Sequence, residues 1–253
     1  MTTRKLVAVL ACRNSGSRLY GKPLQRLDIE SGWNILDQVI TNIKALPCID
    51  KVILAVSSGS DNVSFVDYAE SHNIESIIGD PVDVLHRLVC GLNQAKGTDL
   101  FRVTTESPFL YWQAVQEAWE RHKNQANDAT FMDEVVDGCG FEIITAAALR
   151  TSWEQGGTRH RSELCSLYIR ENPEIFKIEK MNFPPGLLRR DLRLTVDYPE
   201  DLIVCRAVYD RFREKMADPS YSLEDIISFL DDSPNLRALI LPFTEAGYSN
   251  MYL

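Results

Sequence analysis

No run of apolar residues in the 253-residue sequence approaches the ~20 that a membrane-spanning helix needs, so neither a transmembrane span nor a membrane partner is expected. The stretch Leu6–Cys12 is apolar but short, and Arg13 follows it directly, which is typical of a buried strand rather than of a signal peptide. No two of the six cysteines form a C-x-x-C pair, which disfavours zinc and, in a chain of this length, a disulfide framework. We therefore predict a reduced, cytoplasmic protein.

The chain is also poor in positive charge. It has 27 Lys and Arg against 36 Asp and Glu, a formal net charge of −9 and a pI near 5.0. Such a field repels nucleic acid, so no nucleic-acid partner is expected and any local basic cluster is informative. The 45% hydrophobic and 25% charged residues are typical of a globular protein and exclude a disordered chain.

Motifs of several enzyme classes are absent. The sequence has no G-x-G-x-x-G dinucleotide fingerprint, no Ser-His-Asp pattern and no G-x-S-x-G elbow. Residues 16–22 do read G-x-x-x-x-G-K, but Pro23 stands where a P-loop needs Ser or Thr, and it favours extended backbone at Lys22. A P-loop kinase or NTPase and a nicotinamide enzyme are therefore disfavoured.

Apolar runs of strand length alternate with helical patterns in the first half of the chain. The expected strands are Lys5–Ala11, Lys51–Val56, Ile74–Ile78 and Leu100–Thr104, and the expected helices are Asn34–Leu46, Asp61–His72, Pro81–Lys96 and Tyr111–Asn124. Short connections join them. The pattern predicts an α/β fold with a mostly parallel sheet covered by helices on both faces.

The second half is less regular. The expected strands are Ala129–Asp133, Phe141–Thr145, Phe176–Met181 and the core strand Leu192–Val196, and the expected helices are Ser162–Glu171, Pro199–Arg213, Ser222–Leu230 and Asn235–Leu239. We find no repeat and no convincing linker. One domain of residues 1–253 is therefore predicted, with a mixed α/β insertion at about 130–190 for acceptor binding or dimerisation.

The segment richest in chemistry follows the first strand, at residues 11–24. It places Arg13, Arg18 and Lys22 among small residues. Carboxyl ends of parallel strands form the ligand crevice of such folds, where backbone N–H groups and cations bind phosphate. This positive cluster in an acidic protein predicts an anion site. The alternative is a solvated turn whose arginines pair with surface carboxylates.

Two acidic residues follow later predicted strands, Glu106 after FRVTT and Asp197 after LRLTV. If those strands are parallel neighbours, both carboxylates face the same crevice. Two carboxylates near a triphosphate predict a Mg²⁺ site, since magnesium prefers hard oxygens and shares its shell with phosphates. Helix N-capping is the alternative, and for either residue taken alone it is the stronger one.

Three further polar residues, Arg159, His160 and Glu163, lie in one segment and are candidate substrate ligands, with a solvated loop as the alternative. Cys12 borders the basic segment. With no histidine base nearby in the sequence, it is interpreted as a packed core residue. Because Cys12 borders the basic segment, it is nevertheless included among the candidate nucleotide-binding residues given below.

The basic segment resembles the signature of CTP-dependent sugar-acid cytidylyltransferases, closest to their spore-coat-polysaccharide branch. The matching residues read Arg13-x-x-Gly16-Ser17-Arg18-Leu19-x-Gly21-Lys22-Pro23-Leu24. Further matches follow in order at residues 55–58 (AVSS), 79–87 (GDPVDVLHR), 102–108 (RVTTESP), 163–178 and 192–201 (LRLTVDYPED). The resemblance covers about residues 4–215, and Thr105-Glu106 stands where the family has Gly-Asp.

The resemblance implies a three-layer, Rossmann-like nucleotide-diphospho-sugar transferase fold that uses CTP and Mg²⁺ and forms a homodimer. It implies catalytic roles for Arg18, Lys22 and Asp197, with Glu106 and Asp197 as metal ligands. The implied nucleotide-binding residues are Cys12, Arg13, Asn14, Ser15, Gly16, Ser17, Lys22, Ser57, Asp80, Asp83, Arg87 and Thr105.

We therefore expect transfer of CMP from CTP to an anionic sugar acid or related acceptor. Pyrophosphate would be released, and the product would serve surface-polysaccharide or glycoconjugate synthesis. One alternative is an enzyme of the same fold with another nucleotide or a non-sugar acceptor. The other is a non-catalytic nucleotide-binding homologue.

Overall fold

A computed structural model describes residues 3–16, 18–182, 184–216 and 221–250, with one seven-stranded sheet. The strands are β1 (Leu6–Cys12), β2 (Ile49–Ser57), β3 (Glu75–Gly79), β4 (Asp99–Arg102), β5 (Ala129–Met132), β6 (Phe141–Thr145) and β7 (Ile178–Lys180). Their order is β3-β2-β1-β4-β6-β5-β7. Strand β6 is antiparallel to both neighbours, and the other pairs are parallel. The predicted, mostly parallel α/β sheet is confirmed.

Helices cover both faces of the sheet. They are α1 (Ile35–Lys44), α2 (Val63–Ser71), α3 (Val84–Gln94), α4 (Val115–Asn124), α5 (Ala146–Gln155), α6 (Leu167–Glu171), α7 (Pro199–Met216), α8 (Leu223–Asp231) and α9 (Pro234–Asn250). One core cluster joins the sheet to α1, α2, α4, α7, α8 and α9, and a second joins it to α3, α5 and α6. The expected three layers are therefore present.

The side chains of β1 point alternately to the two faces of the sheet, which explains why helices cover both faces. Leu6 and Ala8 belong to one core cluster, whereas Val7 and Val9 belong to the other, and all four are fully buried. A strand that is apolar on both sides must be covered on both sides to remove that surface from water. None of the described helices combines the length and the apolar character needed to cross a membrane.

The prediction of a core strand at Leu192–Val196 was wrong. The side chains of Leu192, Leu194 and Val196 are fully buried, but the segment makes only an isolated bridge between Arg193 and Asp137. Its backbone bonds to loops instead, with Leu194 N donating to Asp137 O at 2.7 Å. The apolar alternation of this segment thus indicates that its side chains are buried beside the sheet, and not that the segment is a strand of the sheet.

Four helix boundaries also differ from the expectations. Helix α3 begins after Asp83, whose carboxylate accepts from His86 N at 2.8 Å, so Pro81 lies before the helix and not in its first turn. Asp61 does not cap α2, because it lies in the short 3₁₀ turn Ser60–Asn62. The helix expected at Ser162–Glu171 is only α6, and α9 runs well beyond the expected Leu239. Helix α5 was not predicted, because its alanine-rich start gives little amphipathic pattern.

Candidate active site

A cavity of about 570 Å³ opens at the carboxyl edge of the sheet. Its walls come from the ends of β1, β4 and β5, from the start of β6 and from the segment before α7. The predicted site residues that line it are Arg13, Asn14, Ser15, Gly16, Arg18, Lys22, Arg87, Thr105, Glu106, Glu163 and Asp197. Positive side chains outnumber negative ones along the described lining, although the whole chain is acidic. The cavity therefore suits an anion.

The basic loop after β1 is shaped by its own hydrogen bonds. Gly21 adopts the left-handed conformation (φ 60°), and its N–H donates to Asn14 O at 2.9 Å, which folds the loop back on itself. The Asn14 side chain donates to Ser64 Oγ at 2.8 Å and so ties the loop to α2. Only a single 3₁₀ turn, Lys22–Leu24, follows the loop. The loop therefore does not open an α-helix as a P-loop does.

Asp197 lies at the centre of a cluster of three cations. Its Oδ1 accepts from Lys22 Nζ at 2.6 Å and from Arg18 Nη2 at 2.9 Å, and its Oδ2 accepts from Arg193 Nη2 at 2.7 Å. Burial raises the pKa of Asp197, but the hydrogen bond and charge of Lys22 and the charges of Arg18 and Arg193 outweigh this and lower it. The carboxylate is thus ionised at the cavity surface.

Asp197 is not the side-chain cap of α7. Asp201, in the first turn of α7, instead reaches back to the residues before the helix, and its Oδ2 accepts from the N–H groups of Asp197 and Tyr198, both at 2.9 Å. The guanidinium of Arg193 is buried beneath Asp197, and its Nη1 donates to Phe243 O of α9 at 2.9 Å. Asp197 is therefore held from below while its other oxygen faces the basic loop.

Glu106 reaches the same cavity by a different route. Val196 N donates to Glu106 O at 3.0 Å, so the segment before Asp197 runs beside the end of β4 without joining the sheet. Thr105 Oγ1 donates to Ala11 O at 3.2 Å and thereby fixes this turn against β1. Backbone contacts between loops, and not the expected strand pairing, thus bring the two carboxylates to one cavity.

These two carboxylates suit a hard cation. No group of three or more His, Cys, Asp or Glu side chains in the described residues is arranged to hold a metal by itself. Magnesium commonly binds through one or two carboxylates and completes its shell with water and substrate phosphates. Glu106 and Asp197 beside Lys22 and Arg18 therefore fit a divalent ion that arrives with a triphosphate.

Gly138 is the point where the loop between β5 and β6 touches the segment before Asp197. Its φ is +90°, and a Cβ there would lie 2.6 Å from Thr195 N. We expect Gly138→Ala to destabilise the fold by about 2 kcal/mol or more, since it adds a backbone clash to the left-handed strain. Urea unfolding would measure it.

Gly32→Ala is the matched control for Gly138→Ala. Gly32 also has a positive φ, +79°, but nothing lies within 4 Å of its added Cβ. This variant therefore carries the strain without the clash. Equal losses of stability in the two variants would contradict the close approach of Gly138 to Thr195.

The far wall of the cavity is a chain of ion pairs that the sequence reasoning missed. Glu142 of β6 accepts from Arg102 Nη1 at 2.8 Å and from Arg170 Nη2 at 2.9 Å. Arg170 also binds both oxygens of Asp133, at 2.7 and 2.8 Å. The available signal for this wall was a charged residue in each of two core strands, Arg102 at the end of β4 and Glu142 as the one charged residue of β6.

A family model for the cytidylyltransferases matches residues 7–233. The chain belongs to this family. The membership predicted from the motifs is confirmed, and with it the CTP-dependent nucleotidyltransferase class.

The chain is similar in sequence to a curated relative and in fold to solved structures. The spore coat polysaccharide biosynthesis protein SpsF of Bacillus subtilis is 25% identical over 240 residues, which cover 91% of this chain and 95% of SpsF. A cytidylyltransferase structure from Leptospira borgpetersenii has a TM-score of 0.81 at 18% identity and covers 92% of this chain and 97% of its own. A CMP:2-keto-3-deoxy-manno-octonic acid synthetase structure complexed with CTP has a TM-score of 0.61 at 14% identity, with 82% and 99% covered.

Some predicted nucleotide ligands of this cytidylyltransferase lie away from the described cavity lining. The Cys12 side chain is fully buried, and burial raises its thiol pKa to about 12, as the core interpretation requires. Ser57 is buried at the end of β2. Asp80 accepts from Val82 N and Asp83 N, so these residues shape the turn before α3. Ser17 lies outside the described residues.

Two predicted substrate ligands are likewise engaged elsewhere. Arg159 Nη2 lies 2.6 Å and His160 Nε2 2.9 Å from Glu171 Oε2, and Gly157 N donates to His160 Nδ1 at 2.8 Å. Neither residue is part of the described cavity lining. Glu163 does line the cavity, where its carboxylate pairs with Arg13 of the basic loop. Of the three predicted substrate ligands of this cytidylyltransferase, Glu163 alone therefore lies on the described cavity lining.

Proposed function

We propose that the chain transfers CMP from CTP to an anionic sugar acid or a related acceptor, with release of pyrophosphate. The product would serve surface-polysaccharide or glycoconjugate synthesis. The observation that carries this proposal is the cluster of Lys22, Arg18 and Asp197 in the same cavity as the polar far wall. One end then suits a metal-bound triphosphate, and the other suits its acceptor.

In this proposal Arg18 and Lys22 exchange Asp197 for phosphate oxygens when CTP binds. A magnesium ion held by Glu106 and Asp197 would neutralise charge on the phosphates and on the leaving pyrophosphate. The acceptor oxygen attacks the α-phosphorus directly, and the protein contributes positioning and charge stabilisation. No covalent intermediate is needed, and Cys12 is buried with its thiol protonated.

The far wall supports a polyhydroxylated acceptor. Arg102, Glu142, Arg170 and Asp133 alternate in charge, so they offer both donors and acceptors to hydroxyl groups. Lys180, at the end of β7, lies on the same lining and is exposed, which suits an acidic group on the acceptor. The role of residues 130–190 in acceptor binding and the homodimer stay predictions.

Nucleotide preference is tested by thermal shift with CTP, UTP, GTP and ATP, each with Mg²⁺. A ligand at ~100 times its dissociation constant adds about 2.7 kcal/mol of stability. CTP is expected to raise Tm the most, and removal of the divalent ion with EDTA is expected to reduce that shift. If another nucleotide raises Tm more than CTP does, that nucleotide would replace CTP in the proposal.

Acceptor chemistry is tested by pyrophosphate release with CTP and a panel of 2-keto-3-deoxy sugar acids, sugar phosphates and phosphonates. Turnover is expected with a sugar acid. If turnover occurs only with a sugar phosphate or only with a phosphonate, that class of compound would replace the sugar acid as the proposed acceptor. CTP binding with no pyrophosphate from any acceptor would favour the non-catalytic homologue.

A further inference from the structure

One carboxylate on the cavity lining takes no part in the arrangement described so far. Asp137 lies in the loop between β5 and β6, and its side chain is 8% exposed. Its Oδ2 is buried and has no hydrogen-bond partner among the described residues. The nearest cation, Arg193 Nε, is 3.9 Å away, which is beyond hydrogen-bond distance. A buried carboxylate oxygen that has an ion pair but no hydrogen bond is costly, so its presence at a cavity points to function.

Asp137 lies on a loop that connects two parts of the described cavity lining. Its backbone oxygen accepts from Leu194 N at 2.7 Å, which ties its loop to the segment that carries Asp197. The same loop starts beside Asp133 and leads to Glu142, the two acids of the far wall. The Asp137 side chain therefore lines the cavity on the loop that joins the Asp197 segment to the far wall.

The surroundings of Asp137 favour its neutral form. Burial raises the pKa of Asp137 to about 6; Arg193 opposes this, whereas Asp197 and Asp201 add to it. The buried thiol of Cys139 also interacts electrostatically with Asp137. An acid whose pKa is raised toward neutral pH is suited to proton transfer there.

We propose that Asp137 is the general base that takes the proton from the attacking hydroxyl of the acceptor. The inference rests on the proposed cytidylyl transfer. The acceptor O–H bond breaks as its oxygen bonds to the α-phosphorus, and the proton goes to the Asp137 carboxylate. The bond from the α-phosphorus to the bridging oxygen breaks, and its electron pair leaves with pyrophosphate. Asp137 then returns the proton to water.

The test is Asp137→Asn, which keeps the shape of the side chain and removes the base. Pyrophosphate release is measured with CTP and 3-deoxy-manno-octulosonate, or with the panel acceptor that the wild type uses best. We expect kcat to fall by about 10²–10³ while the Kd for CTP stays within about threefold. Wild-type kcat/KM should fall below about pH 6, and this acidic limb should be absent in the variant.

Stability separates a catalytic role from a structural one. Because the raised pKa means that folding disfavours the charged Asp137, asparagine should leave Tm unchanged or raise it above pH 6. The control Asp191→Asn removes an ion-paired acid outside the described lining and should not change kcat.

Three outcomes would overturn the base assignment. In one, the asparagine variant has wild-type kcat. In the second, it keeps the acidic limb. In the third, activity falls in step with Tm or CTP affinity, which would make Asp137 structural. A wild type that releases no pyrophosphate with any acceptor would instead defeat the proposed function, and the base assignment with it.

Discussion

Asp197→Ala is expected to lower kcat of pyrophosphate release by about 10²–10³ while the fold remains intact. The carboxylate is ionised, lies within 3 Å of Lys22 and Arg18, and is a proposed metal ligand. Its loss would therefore remove a proposed metal contact and the negative charge that holds the two cations in place. Initial rates with CTP, Mg²⁺ and the best acceptor would measure the effect, and circular dichroism would verify the fold. Lys22→Ala is expected to show a loss of the same size.

Asp191→Ala provides the comparison for Asp197→Ala. Asp191 pairs with Arg189 at 2.8 Å and with Arg237 at 2.9 Å, outside the described cavity lining. It therefore loses a similar set of ion pairs without touching the site. Turnover near the wild-type level in Asp197→Ala or Lys22→Ala would contradict the assignment of the site. Equal losses of kcat in the Asp191 and Asp197 variants would contradict it as well.

Glu142→Gln is expected to lower the free energy of unfolding by about 3–5 kcal/mol, because it removes the charge of a buried carboxylate that pairs with both Arg102 and Arg170, which are themselves largely buried. Burial would raise the pKa of Glu142, but the charges of the two arginines outweigh this and lower it to about 2. Urea unfolding at pH 7 of the wild type and the variant would measure the loss.

The pH dependence of this effect has a definite sign. The pKa of Glu142 is about 2 in the folded protein and near 4.5 in the unfolded chain. Its stabilising contribution is therefore complete above about pH 4.5 and is lost as the pH falls toward 2. The difference between wild type and variant should shrink over that range. Glu75→Gln, at the exposed pair with Lys51, should leave the urea midpoint nearly unchanged at pH 7; equal effects of the two substitutions would contradict the buried network.

The sequence predicted the parallel core of the fold because local patterns determine it. The apolar run at β1 and the helical spacing of α1 each identify an element without reference to the rest of the chain. The basic loop could be located for the same reason, since Arg13, Arg18 and Lys22 are close in sequence. Glu106 and Asp197 were placed in one cavity by a pairing of strands that the structure does not contain.

What the sequence could not give depends on contacts between distant residues. The far wall joins Arg102, Glu142 and Arg170 from three separate elements, and nothing local to any of them indicates the other two. Arg159 and His160 were expected at the substrate, but Glu171 of α6 takes both. Asp137 was passed over because its burial and missing partner exist only in the folded chain.

The hydrogen bond from Arg193 to the backbone oxygen of Phe243 couples α9 to the proposed active site. One guanidinium connects that helix to Asp197, so a displacement of α9 along its axis would be transmitted to a carboxylate oxygen of the proposed site. Evolution could therefore adjust turnover through residues that never meet a substrate. Directed libraries aimed at catalytic rate should include α9 alongside the cavity wall.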